Sequence, residues 1–242
     1  MSRHALALRE GPDVLHVVVP AHDEAELLPS CLASVRRAAQ ALRAAHPDVV
    51  VRVTVVVDAC GDATPDLARA GGADVVEVDA RCVGVAREAG VARAQALAAG
   101  VAPAAVWLAH TDADSRVPAH WLLAQLALAR LGSAMVVGSV RPGRDDLPAS
   151  SWRSWHERHA LREGHAHVHG ANLGLTLEAH RRVGGFPALP LHEDVLLVAA
   201  VRRAGFRWTA TDATRVTTSG RRHGRAPGGF AAYLAALDGE AS

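Results

Sequence analysis

Two aspartates one residue apart, Asp112-Ala113-Asp114, follow the apolar run AAVWLA. Carboxylates at that spacing can share one divalent cation, directly or through water, and their hard oxygens suit Mg²⁺ or Mn²⁺. Such a cation can hold a diphosphate and neutralise the charge that builds on it as it departs. The plainer reading is a solvated turn, or a cap for a helix starting near Pro118. Asp58 ends the run VVVDACGDAT and can accept a hydrogen bond from a base N–H, while Glu24, after the run ending at Pro20, can take ribose hydroxyls. Both are equally readable as turn or capping residues, and Asp62 and Thr64 read as caps for the next helix.

The elements that must position these groups alternate. β-Branched runs at Val14–Val19, Val49–Val57, Asp74–Val78 and Ala105–Ala109 read as buried parallel strands, because they lack polar alternation. Between them, helical spacing is expected over Asp23–Ala45, Thr64–Ala70 and Val83–Ala99. A further helix, Pro118–Leu131, and a strand, Ala134–Val140, extend the rhythm. This βαβ repetition predicts a mostly parallel α/β sheet with helices on both faces, whose ligands bind beyond the carboxyl ends of the strands. All three acidic groups lie at such ends. The second half is less regular: a helix over Ser151–Gly164, a strand over His165–Thr176, a helix over Val195–Ala204, a strand over Arg207–Ala210 and a terminal helix over Gly229–Leu237 are expected.

Composition narrows the function. The chain has 242 residues, half of them hydrophobic, enough for one sizeable core. A net charge of +1 and 4% aromatic residues argue against a nucleic-acid partner. Three cysteines without a C-x-x-C pair argue against a disulfide framework or a thiolate zinc site, and fit a reducing cytoplasm. The first residues do not read as a signal peptide, and no run is long enough for a membrane span.

Taken in order, VVVPAHDEAELLPSCLASV, VVVDACGDAT, GVAREAG, WLAHTDADS, GANLGLTLEAHRRVGGFP and HEDVLL resemble the family 2 glycosyltransferases of the GT-A fold. The resemblance spans about Val17 to Arg203. It implies a single Rossmann-like GT-A domain over residues 1–242, with a nucleotide-sugar-binding half over about 14–132. The remainder, about 133–242, would be an acceptor-binding half and C-terminal lid. It implies a nucleotide-diphospho-sugar donor, with UDP the first expectation and GDP the alternative, and peripheral contact with a membrane if the acceptor is a lipid. Residue by residue, it implies that Pro20, Ala21 and Glu24 line the nucleoside site and Asp58 faces the base. Arg87 lies near the diphosphate or sugar, Asp112 contacts ribose or sugar beside Ala113, and Asp114 holds the metal. Asp194, beside Glu193, is the implied catalytic base of an inverting displacement; the plain alternative is a first-turn charge favoured by the helix dipole. The sequence departs from the family pattern at Val57, at Arg87-Glu88 and at His110, which bears on the choice of base and sugar.

Near the C-terminus, Arg221, Arg222 and Arg225 can close over a diphosphate, and His223 is a candidate further metal ligand; the alternative is an exposed loop. Asn172 falls where the family has a polar residue near the acceptor, and Glu193 is expected to bind the acceptor too. Trp155 and Trp152 can stack on an acceptor or belong to the core. His165, His167 and His169 share one face of a strand and could bind zinc, but acceptor-pocket lining or a solvated face is the preferred reading. Two other functions stay open: a sugar-phosphate nucleotidyltransferase, disfavoured because PAHDEAELLP has neither glycine nor lysine, and a non-catalytic nucleotide-sugar-binding module.

Overall fold

The β-branched runs become strands. A computed structural model describes residues 11–159, 161–221 and 230–239. In it Val14–Ala21 forms β1, Val50–Asp58 β2, Asp74–Val78 β3 and Val106–His110 β4. β1 pairs in parallel with both β2 and β4, and β2 with β3. The crossovers are α1 (Leu28–Ala45), α2 (Thr64–Ala70) and α3 (Val83–Leu97).

Side chains of β1 alternate between two apolar clusters, which is why the run reads as continuously hydrophobic. Leu15, Val17 and Val19 join Leu28, Leu32, Val35 and Leu42 of α1. Val14 joins Val91 and Ala94 of α3 on the other side. α3 lies close to the sheet because Gly90 has no Cβ; one built there would meet Val18 Cγ1 at 2.4 Å.

The chain continues through β5 (Ser115–Arg116), α4 (Trp121–Arg130), β6 (Met135–Pro142) and α5 (Ala149–Arg158). β7 (Leu173–Thr176), α6 (Leu177–Val183), α7 (Glu193–Arg203), β8 (Trp208–Thr218) and α8 (Phe230–Gly239) complete it. The sheet order is β3-β2-β1-β4-β7-β6-β8-β5. β7 runs antiparallel to both β4 and β6. The expected α/β class with a mostly parallel, helix-flanked sheet is what the chain adopts, with β7 as an antiparallel insertion.

Several expectations need correction. The helix expected from Asp23 begins at Leu28. Asp23 sits at φ 50°, a left-handed conformation that no helix accepts, and Glu24 carbonyl instead receives the Leu28 amide. The strand expected over His165–Thr176 shrinks to β7, and His165–His169 lies outside any strand. α6 was not anticipated. Its ends are conventional, however: Thr176 Oγ1 accepts the Ala179 amide at 3.1 Å, and Gly184 at φ 86° closes it. β8 runs eight residues past the expected end at Ala210, following β6 across a bulge between Gly138 and Val140. Among the described residues no helix is long and apolar enough to cross a membrane.

Candidate active site

The carboxyl ends of β1 and β4 meet the start of α7 through a line of ion pairs. Arg221, just after β8, donates to both oxygens of Glu24 at 3.0 and 2.7 Å. The same guanidinium lies 2.9 Å from Asp114 Oδ2. Two residues earlier, Asp112 Oδ1 accepts from Arg87 Nη2 at 2.6 Å, and Arg87 Nε donates to Glu193 Oε1 at 3.0 Å. Six charged groups, from the loops after β1 and β4, from α3 and α7 and from the segment after β8, thus form two ion-paired sets, joined through the backbone between Asp112 and Asp114, and Asp194 adds its charge beside Arg87.

Each member is placed by local structure. Arg87 rises from α3 with its side chain 3% exposed. Gly170 makes room for it: a Cβ there would meet Arg87 Nη2 at 2.4 Å. Burial alone disfavours a charged guanidinium, yet Asp112, Glu193 and Asp194 hold Arg87 firmly protonated. Its Nη1 is buried without a hydrogen-bond partner, so one donor remains to be satisfied. Glu193 and Asp194 occupy the first turn of α7, where the helix dipole favours negative charge. Asp194 accepts the Gly170 amide at 2.5 Å and the Val195 amide at 2.7 Å.

Asp114 is the most strained of the carboxylates. Burial, and then the charge of Asp112, push its pKa up to about 6, while Arg221 and the Thr218 hydroxyl pull the other way. Asp114 Oδ1 takes the Ser115 and Thr218 hydroxyls at 3.2 Å each. Glu24 and Asp114 grip one guanidinium, with the charge of Asp112 nearby. Their hard oxygens are of the kind that suits a divalent ion, although with Arg221 between them Glu24, Asp112 and Asp114 do not converge on one point.

The nucleoside end is organised differently. Pro20 and Ala21 end β1, and the Glu24 amide donates to Thr64 Oγ1 at 2.7 Å. Asp62 receives the Ala25 and Thr64 amides at 3.0 and 2.9 Å. Asp58 is 4% exposed, and its carboxylate accepts the amides of Ala80, Arg81 and Cys82 at 2.7, 2.8 and 2.8 Å. Three backbone donors therefore occupy the group expected to meet a base, and the loop after β3 is what Asp58 shapes. Ala113 is buried beneath the paired aspartates.

Two acceptor assignments do not hold. Asn172 is 1% exposed; it accepts from Trp121 Nε1 at 2.9 Å and donates to the carbonyls of Ser139 and Thr214 at 2.8 Å each. Its amide pins α4, β6 and β8 together and leaves no face for an acceptor. Trp155 is fully buried with Leu147 and Leu234, and its ring is stacked on His159 at 4.5 Å. It is a core residue. The rings of His165, His167 and His169 do share a face, with centroids 5.9 and 6.2 Å apart. Among the described residues, however, they form no cluster of three converging metal-ligand atoms. Arg222, Arg225 and His223 lie outside the described residues.

Sequence reasoning named Arg221 as a diphosphate contact but missed its pairing with Glu24 and Asp114, and missed the pairing of Arg87 with Glu193. His110 ends β4 with both ring nitrogens buried and unpartnered, edge-on to Phe186 at 4.9 Å. Its burial and the nearby Arg87 keep it neutral. The departure at that position was legible; its surroundings were not.

The fold is similar to that of several solved structures. One is the mannosyltransferase PcManGT of Pyrobaculum calidifontis, in complex with GDP-Man and Mn²⁺: TM-score 0.63, 21% identity, 89% of this chain and 59% of that chain. Another is glucosyl-3-phosphoglycerate synthase of Mycobacterium tuberculosis with Mn²⁺, UDP and phosphoglyceric acid: TM-score 0.54, 18% identity, 95% of this chain and 78% of that one. A third is S. aureus TarS 1-349 with UDP: TM-score 0.57, 14% identity, 85% and 60%. The chain spans only 36% of the longer TarS structure and about 60% of several of the others. No curated protein matches the chain in sequence. Residues 16–184 match the family described as glycosyl transferase family 2, which is more than half of the chain, and the chain belongs to that family.

Proposed function

We propose that this protein transfers a sugar from a nucleotide-diphospho-sugar to an acceptor hydroxyl, with inversion and with a divalent metal. The observation that carries this reading is the charge line. It joins the Asp112–Asp114 pair, suited to a metal-bound diphosphate, to the Glu193–Asp194 pair on the opposing element. The structures of similar fold support it, because they hold UDP or GDP-Man and, in two of the three, Mn²⁺. Asp114 and Asp112 would hold the metal, whose chemistry is to neutralise negative charge on the leaving diphosphate.

The chain's own residues then divide the work. Arg87, with Nη1 unpartnered, donates to the diphosphate or the sugar while Asp112 and Glu193 fix its position. Asp194, half-buried and held by two backbone amides, takes the proton of the acceptor hydroxyl as its oxygen attacks the anomeric carbon. The bond to the diphosphate oxygen breaks on the other face. Arg221 must release Glu24 and Asp114 for the donor to enter, which frees its guanidinium for the diphosphate.

The test is release of free nucleoside diphosphate from UDP- and GDP-hexoses with Mn²⁺ and a panel of acceptors. Pyrophosphate-dependent exchange would replace this reading with nucleotidyl transfer. Tight donor binding without turnover would replace it with a binding module.

A further inference from the structure

The ends of β1 and β2 carry another set of ligand atoms that sugar transfer leaves without a task. His22, Asp23 and Cys60 each present one atom, all within 4.8 Å of one another. They belong to two loops that the fold brings together from positions 37 residues apart. The spacing of cysteines in the sequence hides this, because only one of the three ligands is a thiol.

The His22 ring is fixed by Nδ1, 2.6 Å from the Asp58 carbonyl oxygen. A carbonyl only accepts, so Nδ1 carries the proton, and in the neutral ring Nε2 presents a bare lone pair. That lone pair lies 3.9 Å from Asp23 Oδ2. Two electron-rich atoms therefore face each other, with the Cys60 sulfur completing the triangle. A cation between them would be attracted to both. A proton on Nε2 gives an ion pair whose side chains are 28% and 40% exposed, a weak interaction. One divalent cation could be ligated by all three atoms together.

The atoms behind the ligands fit the same occupant. A histidine that binds metal through one nitrogen commonly donates from the other to a backbone carbonyl, as His22 does to Asp58. Burial pushes the Cys60 thiol up, and the Asp23 amide, donating to Sγ at 3.4 Å, opposes that in part. The thiol proton now points at the Ala21 carbonyl, 3.4 Å away, and would pass to solvent when metal replaces it.

We propose that His22, Asp23 and Cys60 bind one divalent cation of the zinc class, separate from the Asp112–Asp114 pair, with water in the remaining position. Imidazole and thiolate select Zn²⁺ over Mg²⁺ and Mn²⁺. An ion there ties the loop after β1 to the loop after β2, on either side of the place where Asp58 shapes the nucleoside end. The inference rests on the fold and not on sugar transfer.

Co²⁺, a spectroscopic substitute for Zn²⁺, tests it on the full chain stripped of metal. A sulfur-to-cobalt charge-transfer band should grow until one ion is bound and disappear when Zn²⁺ is added. It should be lost in Cys60→Ser and in His22→Ala, both checked for folding by circular dichroism. It should persist in Cys82→Ser and in Asp114→Ala. Absence of the band in the parent protein, or its survival in Cys60→Ser, overturns the proposal. Should Cys60→Ser fail to fold, survival in His22→Ala overturns it equally. Because Asp114→Ala removes the other cation site and leaves this band, the two readings fail separately.

Discussion

The strands before Asp114 and those after it hold their polar groups in opposite ways. In the first region the backbone does the holding: three amides grip Asp58, two grip Asp62, and a threonine fixes the Glu24 amide. In the second, side chains do it: Asn172 joins three elements by its amide, and imidazoles stack on one another and on Trp155. Besides the pairing of β4 with β7, two arginines link the regions. Arg87 reaches from the first to Glu193, and Arg221 reaches back to Glu24 and Asp114. The first region is thus framed by its own backbone, while the charged groups of the second reach it through ion pairs that a ligand could exchange.

The largest effect should come from the frame's cation site. Asp114→Ala should abolish metal-dependent donor binding, measured by calorimetry with UDP or GDP in the presence of Mn²⁺. Undiminished binding would show that the carboxylates around Arg221 are not the metal site. Next, Asp194→Asn keeps the two amide contacts within reach but cannot take a proton. Turnover should fall by about 10²–10⁴-fold at unchanged donor affinity. An intact rate would move the base elsewhere in the second region.

Arg87 tests the seam itself. Arg87→Leu leaves Glu193, itself 4% exposed, without its cation, and breaking a buried pair in this way costs about 3–5 kcal/mol. Urea unfolding should show that loss. A double variant with Glu193→Gln should recover part of it, because the uncompensated charge is then gone. Additive losses would mean that the two groups do not act as a pair.

The same contrast explains what the sequence could disclose. The first region is built from local signals: Val-rich runs that end at Asp58 and Asp114, and helices between them. Local periodicity therefore reads it almost element by element. β7 defeats that method, since nothing in LGLT says that it will run antiparallel between β4 and β6. α6 is short, yet Thr176 three residues before Ala179 and the Gly184-Gly185 pair after it were readable caps. At the site, the acidic residues were visible as types and spacings. Their partners were not, because Arg87 finds Glu193 across 106 residues and Arg221 finds Glu24 across 197. Asn172 and Trp155 misled for the converse reason: a polar or aromatic residue in an irregular stretch looks available until packing shows its faces covered.

Acid should separate the two regions with a smaller effect. His16 in the first is wholly buried, its Nε2 2.7 Å from Thr54 Oγ1, whose hydroxyl donates to Asp74 at 3.3 Å. His169 stands in the second, among other imidazoles. Burial depresses both, to about 4, and neighbouring histidines add to the effect at His169. A folded-state value below the unfolded one means that the unfolded chain binds the proton first. Stability is therefore complete above the ordinary histidine value of about 6.5 and drains away as pH falls towards 4. Each group contributes at most about 3 kcal/mol to that loss, and His169, which is not fully enclosed, contributes less. Melting curves between neutral pH and pH 4 should flatten in His16→Leu and, more weakly, in His169→Leu. If His169→Leu flattened the profile more than His16→Leu, the imidazole-lined region would be the tighter enclosure, and the contrast between a firm first region and a more exchangeable second one would reverse.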